Sequence, residues 1–257
     1  MDTAIGAIRA DPERAGIFLD FDGTLSEIVT VPDAARAARG VSEVLPVLAA
    51  RYRVVAIVSG RQAADVAARL EIEEASLVRC YGLYGLELFG APALLDAPLV
   101  DRVAEAMPDV ERAASYVPGA LVEHKGLHVA VHYRSAPDAE AARRVLLERL
   151  SRTAAEVGLR LLEGKRVVEL APGAGPTKGD VVRSVASSED LAAVLYAGDD
   201  VADLDAFATL DALRERGVTT TKVAVRSAET PESVVAAADV VVDAPPGLVA
   251  FLGRRSA

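Results

Sequence analysis

The chain has few of the residues that would mark it as a secreted or membrane protein. Its 257 residues include one cysteine, no tryptophan and three histidines, and aromatic residues make up only 4%. A single cysteine, Cys80, cannot form an intrachain disulfide, and its apolar surroundings predict a small buried side chain. No apolar run approaches the ~20 residues that a membrane-spanning helix needs. Residues 1–5 do not resemble the start of a secretory leader, so we expect a cytoplasmic protein.

Positive charge is also scarce. The chain has 28 Lys and Arg residues against 38 Asp and Glu residues, which gives a net charge of −10. This balance argues against nucleic acid or an anionic membrane as a partner. Any positive charge that an anionic ligand needs must come locally, from a metal ion and a few basic side chains. Apolar residues make up 51% of the chain, and strands that alternate with helical stretches predict an α/β fold.

The most informative segment is Asp20-Phe21-Asp22-Gly23-Thr24. It follows the apolar run 16–19, which predicts a short buried strand. Open α/β sheets place their chemistry at the carboxyl ends of strands, and Gly23 permits a sharp turn that lets Asp20 and Asp22 face one site. One carboxylate can attack an electrophile while the other moves a proton. Taken alone, an Asp-rich turn without a catalytic role explains these residues equally well.

Two further segments offer groups that bind anions. Ser59-Gly60-Arg61 follows the β-branched run 54–58 and presents a hydroxyl and backbone N–H groups, although a serine helix cap gives the same pattern. Lys178 lies in a predicted loop before a helix at 180–186, where a surface lysine is the ordinary interpretation.

A second acidic cluster follows the buried run 193–198. Asp199 and Asp200 end this predicted strand, and Asp203 and Asp205 come shortly after it. Clustered carboxylates repel one another, and a hard divalent cation such as Mg²⁺ relieves that repulsion. Acidic residues are also common at a helix N-terminus, which is the alternative here.

These segments, in this order, resemble the motifs of the haloacid dehalogenase-like phosphatases over the whole chain. The residues that match the four motifs are, in motif order, Asp20 with Asp22 and Thr24, then Ser59, then Lys178, then Asp199 with Asp200. The resemblance implies an α/β, Rossmann-like core with a mainly parallel sheet and an inserted α+β cap domain.

The same residues suit phosphoryl transfer, which needs an in-line nucleophile, neutralised phosphoryl oxygens and a protonated leaving group. We expect Asp20 to attack phosphorus and form an aspartyl phosphate. We expect Asp22 to give a proton to the leaving alcohol and then to take one from water. Ser59, Lys178 and backbone N–H groups would hold the phosphoryl oxygens, with Thr24 completing the catalytic set. The residues expected to hold Mg²⁺ are Asp20, Asp22 (through its carbonyl), Asp199, Asp200 and Asp203.

The middle of the chain differs from both ends. We expect residues 1–92 and 172–257 to form the hydrolase core and residues 93–171 to form a cap, or lid, that recognises the substrate. The order helix, strand, strand occurs twice in the lid and predicts an antiparallel sheet with helices on one face. Alternation along 127–134 places the odd, apolar residues toward the helices and the even residues, which include His128, His132 and Arg134, on the other face. That face suits a lid that binds hydroxyl groups, and an ordinary solvated face is the alternative.

The lid segments further resemble those of the trehalose-6-phosphate phosphatases. The matching runs are Glu123-His124-Lys125-Gly126, His132-Tyr133-Arg134, residues 163–169 and, in the core, Ser59-Gly60-Arg61 and residues 198–207. The resemblance implies a Mg²⁺-dependent phosphatase that cleaves trehalose 6-phosphate into trehalose and phosphate. It implies that Glu123, Lys125, Lys165 and Glu169 grip the sugar hydroxyls. The residues expected to bind substrate are Gly60, Arg61, Glu123, Lys125, His132, Arg134, Lys165 and Glu169.

Two positions depart from the family pattern. Tyr84 stands where the family usually has a histidine, and Leu204 replaces an acid of the fourth motif. These changes bear on the sugar rather than on the chemistry. A phosphatase of another phosphorylated sugar, or of a pseudo-disaccharide from secondary metabolism, therefore stays open, as do a phosphomutase and a non-catalytic sugar-phosphate sensor. We expect a monomer whose partner is the phosphorylated disaccharide.

Overall fold

The computed structural model describes residues 6, 8–92, 97–173 and 175–256. Two predictions fall outside the described residues. They are the prediction from residues 1–5 that the chain has no secretory leader and the predicted start of the lid at residue 93. The strands are β1 (Ala15–Leu19), β2 (Val54–Val58), β3 (Val78–Gly82), β4 (Glu87–Leu88), β5 (Leu121–His124), β6 (Val129–His132), β7 (Leu159–Gly164), β8 (Val167–Pro172), β9 (Ala193–Gly198), β10 (Thr219–Arg226) and β11 (Val240–Asp243). The α-helices are α1 (Val41–Arg51), α2 (Ala63–Arg69), α3 (Ala97–Ser115), α4 (Ala139–Val157), α5 (Lys178–Ser188), α6 (Leu204–Glu215), α7 (Glu232–Ala237) and α8 (Ala244–Ser256).

The chain divides into two compact units. The first unit consists of Met1–Pro92 and Pro176–Ala257, and the second consists of Ala93–Gly175. The second unit is therefore an insertion between β4 and α5 of the first. Each unit has its own sheet and its own apolar core.

The first unit is built on a seven-stranded sheet in the order β11-β10-β9-β1-β2-β3-β4. Its strands are parallel except for β4, which runs antiparallel to β3. Ile17 and Leu19 of β1 belong to one buried apolar cluster, while Phe18 belongs to another on the opposite face. Because both faces are covered, the central strands are apolar throughout instead of alternating. The predicted α/β core with a mainly parallel sheet is confirmed.

The sheet reverses its strand order beside β1. This strand lies between β9 and β2, and Leu19 is level with Ala197 on one side and with Ile57 on the other. The residues that follow these three strands therefore meet at one edge of the sheet. That edge is the topological switch point, where open α/β sheets bind their ligands.

The second unit has a four-stranded antiparallel sheet in the order β5-β6-β8-β7. Val129 and Val131 of β6 pack with Val110 of α3 and Leu146 of α4 in one apolar cluster. Both helices thus cover the same face of the sheet, as the alternation in the sequence predicts. The even residues of β6 belong to the opposite face.

The prediction that Lys178 lies in a loop is wrong, because α5 begins at Lys178. The Thr177 side chain accepts a hydrogen bond from the backbone N–H of Asp180, and the Asp180 side chain accepts one from the backbone N–H of Thr177. This reciprocal capping satisfies N–H groups that a helix start leaves unpaired. Cys80 is buried, as predicted. Within the described ranges, no helix is both long and apolar enough to cross a bilayer.

Candidate active site

A buried ion pair joins Asp20 to Lys178 at the switch point of the first unit. Asp20 directly follows β1, Lys178 opens α5, and the Lys178 Nζ lies 2.7 Å from Asp20 Oδ1. Both side chains are almost fully buried, at 6% and 4% exposure. Burial raises the pKa of Asp20 to about 7, although the Lys178 charge opposes that rise. Asp20 is thus a buried carboxylate with a cation at one oxygen, and Thr24 Oγ1 lies 3.5 Å from its other oxygen.

Asp203 holds Lys178 in place. Its Oδ1 accepts hydrogen bonds from Lys178 Nζ and from the Tyr196 hydroxyl, each at 2.7 Å. Its Oδ2 accepts hydrogen bonds from the backbone N–H groups of Asp199 and Asp200, each at 2.8 Å. Burial would raise the pKa of Asp203, but the Lys178 charge and these hydrogen bonds lower it below its ordinary value. Asp203 therefore orients Lys178 and fixes the loop that follows β9.

Three of the five residues expected to hold Mg²⁺, namely Asp20, Asp199 and Asp203, form one cluster of carboxylates. Oxygen atoms of Asp20, Asp199 and Asp203 all lie within 4.8 Å of one another, and all three residues are buried. Both oxygens of Asp203 already accept two hydrogen bonds each, so Asp20 and Asp199 are the members that suit a metal ion. Three carboxylates beside one ammonium leave an excess of negative charge that a hard divalent cation balances. The donor set thus fits Mg²⁺.

The turn after β1 lies directly against Asp199. Gly23 has a φ of +79°, and a Cβ built on it would lie 1.9 Å from Asp199 Oδ2. Only glycine tolerates both this conformation and this approach. Asp200, in contrast, is outside the cluster, and its Oδ1 accepts a hydrogen bond from the backbone N–H of Val201 at 2.7 Å. The structure therefore brings Asp199 to the Asp22–Gly23 turn and gives Asp200 a capping contact.

Asp22 has a different partner from the other aspartates. Arg61 donates hydrogen bonds to both of its carboxylate oxygens, from Nε at 2.7 Å and from Nη2 at 2.8 Å. Arg61 also donates to Asp65 at 3.1 Å and to the carbonyl oxygen of Pro32 at 3.1 Å. Burial would lower the pKa of Arg61, but Asp22 and Asp65 raise it above its ordinary value. The guanidinium expected to bind substrate is thus joined to Asp22 in this conformation.

Ser59 lies at the end of β2, beside β1. Its Oγ accepts a hydrogen bond from the backbone N–H of Arg61 at 3.1 Å, and its side chain is buried. The ring of Tyr84 covers Gly60, since a Cβ built on Gly60 would lie 2.8 Å from Tyr84 Cζ. Tyr84 itself has a φ of +59°, within the turn Leu83–Gly85. Tyr84, where this chain departs from the family pattern, therefore contacts the Ser59-Gly60-Arg61 segment.

Three of the predicted sugar-binding residues, Glu123, Lys125 and Glu169, cluster on the sheet face of the second unit that carries the even-numbered residues of β6. Lys125 Nζ lies 3.7 Å from Glu123 Oε2 and 3.6 Å from Glu169 Oε1. His132 Nε2 lies 2.7 Å from Glu123 Oε2, and His128 Nδ1 lies 2.8 Å from Glu169 Oε1. Burial would raise the pKa of Glu169, but the Lys125 charge and the hydrogen bond with His128 lower it below its ordinary value.

The two remaining predicted residues meet at the end of the same sheet. Arg134 donates a hydrogen bond from Nη2 to the backbone carbonyl of Lys165 at 3.1 Å. This contact joins the chain after β6 to the turn between β7 and β8.

Sequence reasoning missed two side chains that complete these networks. Tyr196 lies in the apolar run 193–198, where a buried hydroxyl already signalled that a polar partner was needed. His128 was placed on the correct face but was given no role, because its partner Glu169 is distant in sequence.

Comparisons with known proteins show the family of this chain. A family model described as trehalose-phosphatase matches residues 18–241. The trehalose-phosphate phosphatase of Mycobacterium ulcerans is 36% identical over 253 residues, which is 94% of this chain and 61% of that protein. A Mycobacterium tuberculosis protein described as an uncharacterized glycosyl hydrolase is 37% identical over 217 residues, which is 80% of this chain but 16% of that protein. The chain thus spans less than two thirds of the length of these relatives.

Solved structures show the same fold. The C-terminal domain of a Candida albicans trehalose-6-phosphate phosphatase superposes with a TM-score of 0.81 at 22% identity, over 98% of this chain and 95% of that one. A haloacid dehalogenase-like hydrolase from Bacteroides thetaiotaomicron superposes with a TM-score of 0.60 at 15% identity, over 93% of this chain and 98% of that one. These likenesses establish the haloacid dehalogenase-like fold. The family model covers most of the chain, and the chain therefore belongs to the trehalose-phosphatase family.

Proposed function

We propose that this chain is a Mg²⁺-dependent phosphatase that hydrolyses trehalose 6-phosphate to trehalose and phosphate. The observation that carries the proposal is the buried set of Asp20, Lys178 and Asp199 at the switch point of the first sheet. The chain that carries this set belongs to the trehalose-phosphatase family. A nucleophilic carboxylate, a cation and a metal-binding carboxylate are the groups that phosphoryl transfer requires.

Asp20 is the nucleophile in this proposal. Its carboxylate attacks phosphorus, forming an aspartyl phosphate as the bond from phosphorus to the sugar oxygen breaks. Lys178, held against Asp20 by Asp203, neutralises charge on the phosphoryl oxygens, and Ser59 with neighbouring backbone N–H groups binds those oxygens. Asp20, Asp199 and the carbonyl of Asp22 would hold Mg²⁺, which when bound lets an anionic nucleophile approach an anionic phosphate.

Asp22 is the proton carrier. In the first step its protonated carboxyl gives a proton to the departing sugar oxygen, which leaves as a hydroxyl. In the second step the carboxylate takes a proton from the water that attacks the aspartyl phosphate. Arg61 binds the carboxylate form of Asp22, which is the form that the second step uses. Free Asp20 and inorganic phosphate complete the cycle.

The second unit supplies the groups proposed to bind the sugar. Glu123, Lys125 and Glu169 combine two carboxylates with an ammonium on one sheet face. Such groups bind hydroxyls well and are left without partners by a substrate that lacks them, which is a strong basis for selection.

A second substrate class has a specific observation in its favour. Tyr84 covers Gly60 where the family resemblance expects a histidine. A bulkier aromatic neighbour beside the phosphate-binding segment would alter the sugar that the site accepts, and a pseudo-disaccharide phosphate is the alternative substrate.

Phosphate release from a panel of esters tests both proposals. The panel contains trehalose 6-phosphate, glucose 6-phosphate, sucrose 6-phosphate and a pseudo-disaccharide phosphate, each with Mg²⁺ and with EDTA. We expect metal-dependent release with a strong preference for trehalose 6-phosphate. A preference for another ester would keep the chemistry and change the substrate, and no release from any ester would favour a sensor.

A further inference from the structure

Two histidine–glutamate pairs lie symmetrically about the central strand β6. Ala130 is level with Glu123 of β5 on one side and with Glu169 of β8 on the other. The two histidines stand two residues before and two residues after Ala130, on the same face. His132 Nε2 lies 2.7 Å from Glu123 Oε2, and His128 Nδ1 lies 2.8 Å from Glu169 Oε1. Each glutamate thus has its own histidine.

The chemistry of these pairs determines which ring nitrogen carries hydrogen. An ionised carboxylate only accepts hydrogen bonds, so the imidazole nitrogen beside it must donate. His128 therefore donates through Nδ1 and His132 through Nε2. The His128–Glu169 pair is well shielded, with side chains 1% and 4% exposed, whereas the side chains of His132 and Glu123 are 19% and 32% exposed. A hydrogen bond to a charged group in such surroundings fixes the direction of the carboxylate.

Lys125 lies between the two carboxylates and interacts with both. Its Nζ lies within 3.7 Å of Glu123 and within 3.6 Å of Glu169, so one ammonium attracts both glutamates. In each pair the histidine contacts the same carboxylate oxygen as Lys125, which is Oε2 of Glu123 and Oε1 of Glu169. Ala130, between the two histidines, has a side chain too small to make such a contact.

We propose that His128 and His132 are positioning residues that each hold one glutamate carboxylate in a fixed direction and thereby determine which sugar hydroxyls the second unit can bind. This proposal rests on the proposed function for its substrate, a phosphorylated sugar. It assigns the recognition geometry to residues that need not touch the sugar themselves.

The hydrogen positions can be tested without any substrate. The full chain contains only three histidines, so ¹⁵N spectra of the imidazole rings can be assigned with one single-residue variant for each histidine. We expect a hydrogen on Nδ1 of His128 and on Nε2 of His132. A His128 that lacks hydrogen on Nδ1 would overturn the pairing whatever the enzyme cleaves.

Crossed substitutions test the positioning role. The amide nitrogen of asparagine lies near the place of histidine Nδ1, and that of glutamine lies near the place of Nε2. We expect His128→Asn to keep a near-normal KM for the preferred sugar phosphate and His128→Gln to raise it by about tenfold. At the other pair the pattern inverts, so that His132→Asn raises the KM more than His132→Gln does. Changes in kcat should be smaller than those in KM.

His124→Gln is the matched control. His124 is exposed, and its Nδ1 accepts a hydrogen bond from the backbone N–H of Gly126 at 3.3 Å. We expect no change in KM for this variant. Equal losses for Asn and Gln at either pair, in variants with normal melting temperatures, would overturn the positioning role. A wild-type enzyme that cleaves no sugar phosphate would remove the proposed function instead, and the ring spectra would still decide the pairing.

Discussion

Arg61 and Asp22 form a two-point ion pair in which one guanidinium binds both carboxylate oxygens. The Arg61 side chain is only 9% exposed, whereas that of Asp22 is 41% exposed. The rigid partner of the pair is therefore the arginine, which Asp65 and the Pro32 carbonyl hold from behind. In this arrangement Arg61 orients the carboxylate of Asp22, the proposed proton carrier.

Arg61→Lys should separate proton transfer from phosphate binding. Lysine keeps the charge but cannot donate to both oxygens in a planar fork. We expect kcat to fall by about tenfold on phenyl phosphate and much less on p-nitrophenyl phosphate, whose better leaving group needs less help from an acid. Steady-state assays on these two esters of similar size provide the measurement. Arg152→Lys, at a side chain 83% exposed, is the matched control. Parallel losses on both esters would assign Arg61 to phosphate binding.

Asp20→Asn should abolish turnover without harming the fold. The substitution removes the nucleophile and also removes one of three carboxylates that share a buried site. The pKa of Asp20 is raised by burial despite the Lys178 charge, so its ionised form lowers stability at neutral pH, and in the variant Lys178 keeps its contact with Asp203. The melting temperature in EDTA should therefore be equal to or higher than that of the wild type. Thermal denaturation and phosphate release test this together. Substantial residual turnover would refute the role of Asp20.

Mg²⁺ should stabilise the folded chain through Asp199. A ligand present at 100 times its Kd stabilises a protein by about 2.7 kcal/mol, which is visible as a rise in melting temperature. We expect Asp199→Asn to lose most of this rise. Asp200→Asn should retain it, because the Asp200 carboxylate caps the backbone N–H of Val201. Loss of the response in Asp200→Asn would make Asp200 a ligand, as the sequence first suggested.

Glu169 should make the free energy of unfolding depend on pH. Its pKa in the folded chain lies below the ordinary value of 4.5, so the ionised form contributes stability above that value and loses it as pH falls through the folded pKa. Glu169→Gln should therefore destabilise the protein by about 1–3 kcal/mol at pH 7 and by progressively less below pH 4.5. Denaturation at several pH values measures this difference. Glu163→Gln, at a side chain 42% exposed, should show little effect at any pH. A constant Glu169→Gln deficit down to pH 3 would contradict the account.

The fold was largely predictable because its signals are local. Apolar runs such as residues 54–58 mark strands buried on both faces, and alternation along 127–134 marks a strand with one helical face. The start of α5 was misplaced, although Thr177 and Asp180 have the spacing of a capping box. The short helix α7 went unpredicted because it spans only Glu232–Ala237.

The pairing of the site residues was less predictable. The pairing of each carboxylate with its cation depends on strand order and register, and a local sequence pattern predicts neither. Glu169 lies beside His128 because β8 neighbours β6, although β7 comes before β8 in the chain. The contact between Arg61 and Asp22 was missed for the same reason, since nothing near Arg61 in the sequence indicates Asp22 as its partner.

Neighbouring strands in the sheet of the first unit are not always neighbours in the sequence. β1 pairs with β9, so the central seam of the first sheet joins segments from the two ends of the chain. The inserted unit, in contrast, is one continuous segment with its own apolar cluster. Contacts between distant segments form slowly because a long loop must close first. On the ribosome, the inserted unit can therefore fold while the unit that carries Asp20 still awaits β9, the strand that leads to Asp199.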